Sequence, residues 1–321
     1  MERRPKEQED GGGSAATPGA LAGARRLLLE GGRGELERIL GAEPGVVRRR
    51  WPGDQPPYDG YFHQATLLHH TAGNPLIRPL PDDMVARTRL LLEAGAEVDA
   101  VTRAGPRQPN DVGWTTLGLV ATSAHARERE QQRPLLDLLL NAGADPDARK
   151  GGGLMGALYY GEGTAARHLA DAGARLDLVA AAGLGRVEAL AGFLAEGPDG
   201  WLDGAWLHHY SRVPWPRSAP REEQAAHRLG MALVYAALHG RVEALHLLLE
   251  AGADPDHRPP FDHQGTALHW AVMGNRPEAV RALLAAGADP EAQDREHEST
   301  PAGWADHLGR ARAAEALSAG S

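Results

Sequence analysis

An all-α helical repeat solenoid is the fold class this sequence predicts, and three observations predict it. The stretch MALVYAALHGRVEALHLLLEAGADPD at 231–256 returns as TALHWAVMGNRPEAVRALLAAGADPE at 266–291, a copy displaced by 35 residues. A self-match at this period marks units that bury their apolar faces only by stacking on one another. Within each copy, Leu245/Leu248/Leu249 and Val280/Leu283/Leu284 recur at i, i+3 and i+4, which lines one helical face with core residues. The composition agrees: only three Phe among 321 residues, with Ala, Leu and Gly dominant, suits short close-packed helices better than a sheet of β-branched and aromatic residues.

Taken in order, residues 1–18 are charged and then Gly-rich, and are expected to form a disordered tail before a single solenoid over 19–321. Two short apolar-periodic segments over 21–47, broken at Gly31 to Gly34, read as a hairpin and N-terminal cap. A Pro-, Gly- and aromatic-rich loop at 48–64 leads to TLLHHTAGN at 66–74 and an amphipathic run at 84–93, separated by PLIRPLPDD, whose prolines forbid a continuous helix. A third unit spans 114–148 with a charged insertion at 125–133, whose arginines are expected on a solvated face. The fourth, at 152–177, superposes on 266–291 at an offset of 114 without gaps. A degenerate fifth, AAGLGRVEALAGFL at 181–194, matches the sixth at an offset of 55.

Residues 198–228 then match no repeat and hold three of the seven Trp, so they are expected to be a non-repeat insertion that packs on the array or meets a partner. The sixth and seventh units follow, and TPAGWADHLGRARAAEAL from Thr300 closes the chain as the C-terminal cap. About seven to eight helix-turn-helix units result, caps included. Gly252 and Gly287, just past the last helical turn, are placed to take the left-handed conformation that ends a helix. Pro277 suits the first turn of its helix, where an N–H would have no intrahelical partner.

These pieces resemble the ankyrin repeat. T-A-L-H-W-A at 266–271 with L-L-x-A-G-A-D-P at 283–290 is similar to the family pattern T-P-L-H-x-A followed by L-L-x-x-G-A-D; Ala267 replaces the family Pro, and Gly118, Met155 and Val234 replace its His. The resemblance implies an L-shaped helix-turn-helix stack with hairpin fingers and a concave surface that binds proteins, and it supplies no catalytic residue. It also makes His69 and His269 structural, hydrogen-bonded within their units.

Chemistry is sparsely signalled. No cysteine is present, which removes disulfides, thiolate metal sites and cysteine nucleophiles and fits a reducing compartment. A net charge of −9 argues against a general nucleic-acid binder. The N-terminus lacks the apolar core of a signal peptide and no run approaches a membrane span, so a soluble cytoplasmic protein is expected, with no membrane partner. His208, His209 and His227, or His257 and His263 with Asp256 and Asp262, lack firm metal-ligand spacing. The glycines of GEGTAA at 161–166 lie between repeat helices, outside the strand–turn–helix setting of a dinucleotide site. Neither a phosphate-cradling loop nor a nucleophile elbow occurs. No catalytic residue, cofactor or metal is expected.

Tyr235, Trp270 and Trp304 fall at one equivalent position in successive units, with His70 at the same place in the second. They form an aromatic ladder facing the groove, either packed between neighbouring first helices or offered as contact anchors. Phe261, Asp262 and His263 sit on a finger expected to be exposed at its tip, and Trp201 and Trp206 lie in the insertion. These eight residues are the candidate partner-binding set. The expected function is a non-enzymatic interaction module binding a protein through the groove and finger tips. The alternatives are an enzyme or small-ligand binder with 198–228 as a lid, and a self-associating structural array.

Overall fold

A computed structural model describes residues 18–51, 60, 62–73, 80–103, 105, 113–203 and 218–319. Among them, helices pair into eight consecutive hairpin units. The first joins α1 (Pro18–Glu30) to α2 (Arg33–Ala42), and the second joins a 3-10 turn at Leu67–Ala72 to α3 (Met84–Glu93). In the third, α4 (Thr116–Ala121) pairs with α6 (Gln132–Asn141), with the short α5 (Ala124–Glu128) between them. Then come α7 (Ala148–Tyr159) with α8 (Gly163–Asp171), α9 (Leu178–Leu184) with α10 (Val187–Asp203), and α11 (Arg221–Leu238) with α12 (Val242–Glu250). The last two are α13 (Ala267–Met273) with α14 (Pro277–Ala285), and α15 (Pro301–Leu308) with α16 (Ala311–Ala319).

First helices pack on first helices, as α7 on α9, α9 on α11 and α13 on α15, while α6 on α8 and α12 on α14 form the second layer. The array is therefore a helical repeat solenoid. An isolated antiparallel bridge joins Val101 to Thr115, and no strand is present among the described residues.

The local chemistry follows the sequence closely. Leu245, Leu248, Val280 and Leu283 are wholly buried, whereas Leu249 and Leu284 lie at the edge of the same core. Gly252 and Gly287 close their helices at φ 89° and 88°, and Ala253 N donates to Leu248 O at 2.9 Å across the turn. Pro277 occupies the first turn of α14.

Thr66 and Thr266 begin their helical turns with reciprocal caps: the backbone N–H of each Thr donates to Nδ1 of His69 or His269, at 3.0 and 3.1 Å. The remaining Nε2–H of each ring donates to the next finger, to Trp114 O at 3.1 Å and Ser299 O at 2.9 Å. Both histidines are thus neutral structural links between units. Burial holds the ring of His69 down to about 4 and lowers that of His269 as well, because a charged imidazole would lose its hydration there.

Three expectations are refined. Of the proposed tail, residues 1–17 lie outside the described residues, and Pro18 already opens α1. In the run from Arg127 to Arg133 the three arginines are exposed, whereas Gln131 and Gln132 are buried, as are His125 and Ala126 just before it on α5. The glutamines satisfy carbonyls there: Gln132 Nε2 donates to Val120 O at 3.2 Å in the last turn of α4, and Gln131 Nε2 to Pro81 O at 2.8 Å.

The segment at 198–228 is not wholly foreign to the array either. Residues 221–228 are the opening turns of α11, where Arg228 is 2% exposed and faces Asp177 at 3.8 Å. Residues 204–217 lie outside the described residues.

The degenerate fifth unit acts as a thin spacer. Its first helix, α9, is LVAAAGL, and at Gly183 a Cβ would already come within 3.3 Å of both Leu158 and Tyr235. Units four and six therefore approach across it, and His239 Nε2 donates to Leu158 O at 2.9 Å.

Candidate functional site

The approach of units four and six brings one finger loop onto the layer of first helices. Phe261 leaves the loop after α12 and is fully buried, its ring 5.6 Å from Tyr235, 4.9 Å from Trp270 and 5.8 Å from Tyr159. Asp262, 3% exposed, accepts a hydrogen bond from the Tyr159 hydroxyl of unit four. Trp304 continues the row, edge-on to Trp270 at 5.7 Å. Tyr235, Trp270 and Trp304 are 0, 5 and 6% exposed, so the ladder exists as one aromatic stack with Phe261 wedged into it.

The expectation of an exposed tip at Phe261 and Asp262 is corrected. The small residues of α9 let Tyr159 reach over to them, and burial of a large aromatic outweighs solvation of the loop. His263 alone of the three is partly exposed. Trp201 stands on the final turn of α10 with its side chain outside the described residues, and Trp206 is entirely outside them.

A second loop, at 292–299, locks against the first. Arg295 N donates to His263 O at 3.2 Å. Asp294 is 2% exposed and accepts from the amides of His297 at 2.6 Å, Glu296 at 2.9 Å and Ser299 at 3.3 Å, and from Trp304 Nε1 at 2.9 Å. Burial pushes its pKa up, but these donors outweigh burial and hold the carboxylate below its ordinary value. The loop is thereby tied to the ladder through Trp304. Its outer side presents Glu296 and His297 beside His263, with His263 Nδ1 2.6 Å from Glu296 Oε2.

Beside the finger, a polar cleft of about 510 Å³ opens between the extended start of α11 and both loops, lined among others by Glu223, His227, His257, Arg258 and Arg295. His227 Nδ1 and His257 Nε2 are 2.8 Å apart, and Glu223 lies 3.5 Å from the far nitrogen of His227. Gly230 makes the pairing possible, since a Cβ there would fall 2.5 Å from the His257 ring. Burial lowers both imidazoles, and for His257 the neighbouring His227 lowers it further, so the pair is held neutral. The described lining includes no hydroxyl or thiol nucleophile, and the cleft carries charges of both signs rather than an apolar pocket.

Sequence reasoning did not single out Tyr159, Tyr160, Asp294, Glu296 or His297. Tyr160 is 56% exposed and packs edge-on against Tyr159 at 4.8 Å. A usable signal was present in the chain: His63-Gln64-x-Thr66 recurs as His263-Gln264-x-Thr266. The structure shows the same clamp at both, Arg103 N donating to His63 O at 2.8 Å as Arg295 N does to His263 O. Phe62, at 3% exposed, packs 5.6 Å from His70 much as Phe261 packs on Trp270.

No helix among the described residues is long and apolar enough to cross a membrane. No curated protein sequence matches the chain. A solved structure of the human ASB11 ankyrin repeat domain is similar at 19% identity, covering 79% of this chain and 97% of that one with a TM-score of 0.36. The family model described as ankyrin repeats in three copies matches residues 219–294, which hold α11 to α14 and the finger wedged into the ladder. With its paired-helix units, the left-handed closures at Gly252 and Gly287 and the Thr266–His269 cap, the stretch 219–294 carries ankyrin repeats.

Proposed function

We propose that this protein is a non-catalytic, cytoplasmic interaction module that binds a protein segment along the rim of its finger loops. The buried ladder serves as a rigid backing rather than as the contact surface. Ankyrin repeats are generally protein-interaction modules, which supports the class of function. The observation that carries the finer reading is Tyr160: 56% exposed, yet braced by Tyr159, which is in turn pinned to Asp262 of the finger. A partly exposed aromatic on a braced base loses little entropy on binding and suits a hot spot. His263, Glu296 and His297, where the two finger loops meet, complete the proposed surface. Tyr235, Phe261, Asp262, Trp270 and Trp304 then contribute by holding it in shape.

Acidic side chains at successive unit ends, among them Asp254, Asp289 and Glu291, are exposed, which favours a basic segment as partner. The test is affinity capture with wild type and Tyr160→Ala, followed by titration of the captured partner. Removing a hot-spot aromatic should weaken binding by about 30-fold or more, with the melting temperature unchanged. Equal partner occupancy for the two proteins would sink the rim reading.

A further inference from the structure

Where the two finger loops meet, His263, Glu296 and His297 each offer one ligand-type atom, and the three atoms lie within 4.8 Å of one another. His263 Nδ1 is 2.6 Å from Glu296 Oε2, and His297 Nε2 is 3.9 Å from that same oxygen. The two imidazole rings are 5.2 Å apart. The contact at 2.6 Å is not directed as a hydrogen bond, although the nitrogen is enclosed by its surroundings. A nitrogen and a carboxylate oxygen brought side by side in this way are what a shared cation would draw together.

The loops do not need these side chains to stay joined. The Arg295–His263 backbone bond and the four donors to Asp294 already fix them. Trp304, edge-on to His263 at 5.5 Å, restrains that ring from its apolar side. The equivalent clamp at His63 and Arg103 works with Ala104 and Gly105 next in sequence, where the later finger has Glu296 and His297. Two donors have therefore been added to a loop junction that is complete without them.

We propose that His263, Glu296 and His297 form a divalent transition-metal site that staples the finger of the seventh unit to that of the eighth. Two imidazoles and a carboxylate suit Zn²⁺, Co²⁺, Ni²⁺ or Cu²⁺, whereas Ca²⁺ and Mg²⁺ require oxygen-rich shells. Tetrahedral zinc with bonds of about 2.0–2.1 Å holds its ligand atoms roughly 3.3 Å apart. The 2.6 Å contact must therefore open and the 3.9 Å one close, each by a fraction of an ångström, and the exposed side chains of Glu296 and His297 can do so by rotation. Three protein ligands leave a fourth position for water or for a donor from a bound partner. The site lies on the proposed binding rim but does not depend on that rim being used.

Untagged, metal-stripped full-length protein, titrated with Zn²⁺ by calorimetry and with Co²⁺ by visible absorption, tests the proposal. One Zn²⁺ per chain is expected, with a Kd tighter than about 10 µM, together with the absorption of low-coordinate Co²⁺ and a rise in melting temperature. His297→Ala and Glu296→Gln should each weaken binding by about tenfold or more while keeping the helical circular dichroism, because both side chains are exposed. His227→Ala, in the neighbouring cleft, should leave binding unchanged. Lack of stoichiometric binding, undiminished binding in the first two variants, or loss in His227→Ala alone would overturn it.

Discussion

Trp270 and Trp304 occupy equivalent positions one unit apart, yet their indole N–H groups meet different fates. Trp304 Nε1 donates to the Asp294 carboxylate at 2.9 Å, while Trp270 Nε1 is buried with no acceptor among the described residues. A hydrogen bond to a charged group contributes about 1.5–3 kcal/mol, and a buried donor left unsatisfied costs a comparable desolvation penalty. Trp304→Phe is therefore expected to destabilise by about 1.5–3 kcal/mol, and Trp270→Phe to stay within about 1 kcal/mol of wild type, because it removes an unsatisfied group along with some ring area. Chemical denaturation of the two variants measures the difference. Equal losses would mean that ring area, and not the Asp294 bond, governs the ladder.

At the scale of elements, α9 decides which parts of the chain meet. Its Ala180, Ala181, Ala182 and Gly183 are buried and slender, so Tyr159 of α7 reaches the finger beyond α11 and pairs with Asp262. Replacing Gly183 with Leu drives a side chain into a space where even a Cβ sits 3.3 Å from Leu158 and from Tyr235. Overpacking of this kind costs about 1–3 kcal/mol or more. The Tyr159–Asp262 contact should part as well, and proteolysis within 257–265 should accelerate relative to wild type. A finger as resistant as before would show that α9 does not set the spacing.

The same element shows what was legible in the sequence. The helical units could be read because their information is local: periodic Leu and Val, a glycine just after each helix, a Thr three residues before a His. The degenerate AAGLGRVEAL was recognised as a weakened repeat, but its thinness is expressed only in what it lets approach. Phe261 and Asp262 looked like an exposed tip because loop residues usually are, and their burial depends on Tyr159, more than a hundred residues earlier in the chain. Glu296 and His297 carry no helical period, and only the fold brings them to His263.

Across the whole molecule, the structural histidines couple stability to pH. His69 and His239 are held down to about 4 and His70 to about 3, in each case first by burial, while their unfolded values lie near 6.5. Because the unfolded chain binds these protons more readily, stability rises with pH through the window between. It is fully present above about 6.5, falls as the pH drops below that, and stops falling from this source only near 3 to 4, where the folded state also protonates. The carboxylate of Asp294, lowered by its four donors, withdraws its contribution only at still lower pH, below its ordinary value near 3.8.

Each of the three histidines can contribute a slope of up to about 1.4 kcal/mol per pH unit, roughly 4 kcal/mol per unit together, and His227, His257 and His269, lowered as well, add to it in the same direction. Thermal melts should therefore show a steep loss between pH 6.5 and 4.5, roughly, where isolated carboxylates are still ionised. His239→Gln can retain an N–H for Leu158 O and cannot titrate, so it should lower the slope by up to about 1.4 kcal/mol per pH unit while costing some stability at pH 7.5, roughly. Unchanged slope in that variant would show that the buried link at His239 does not contribute to the pH dependence.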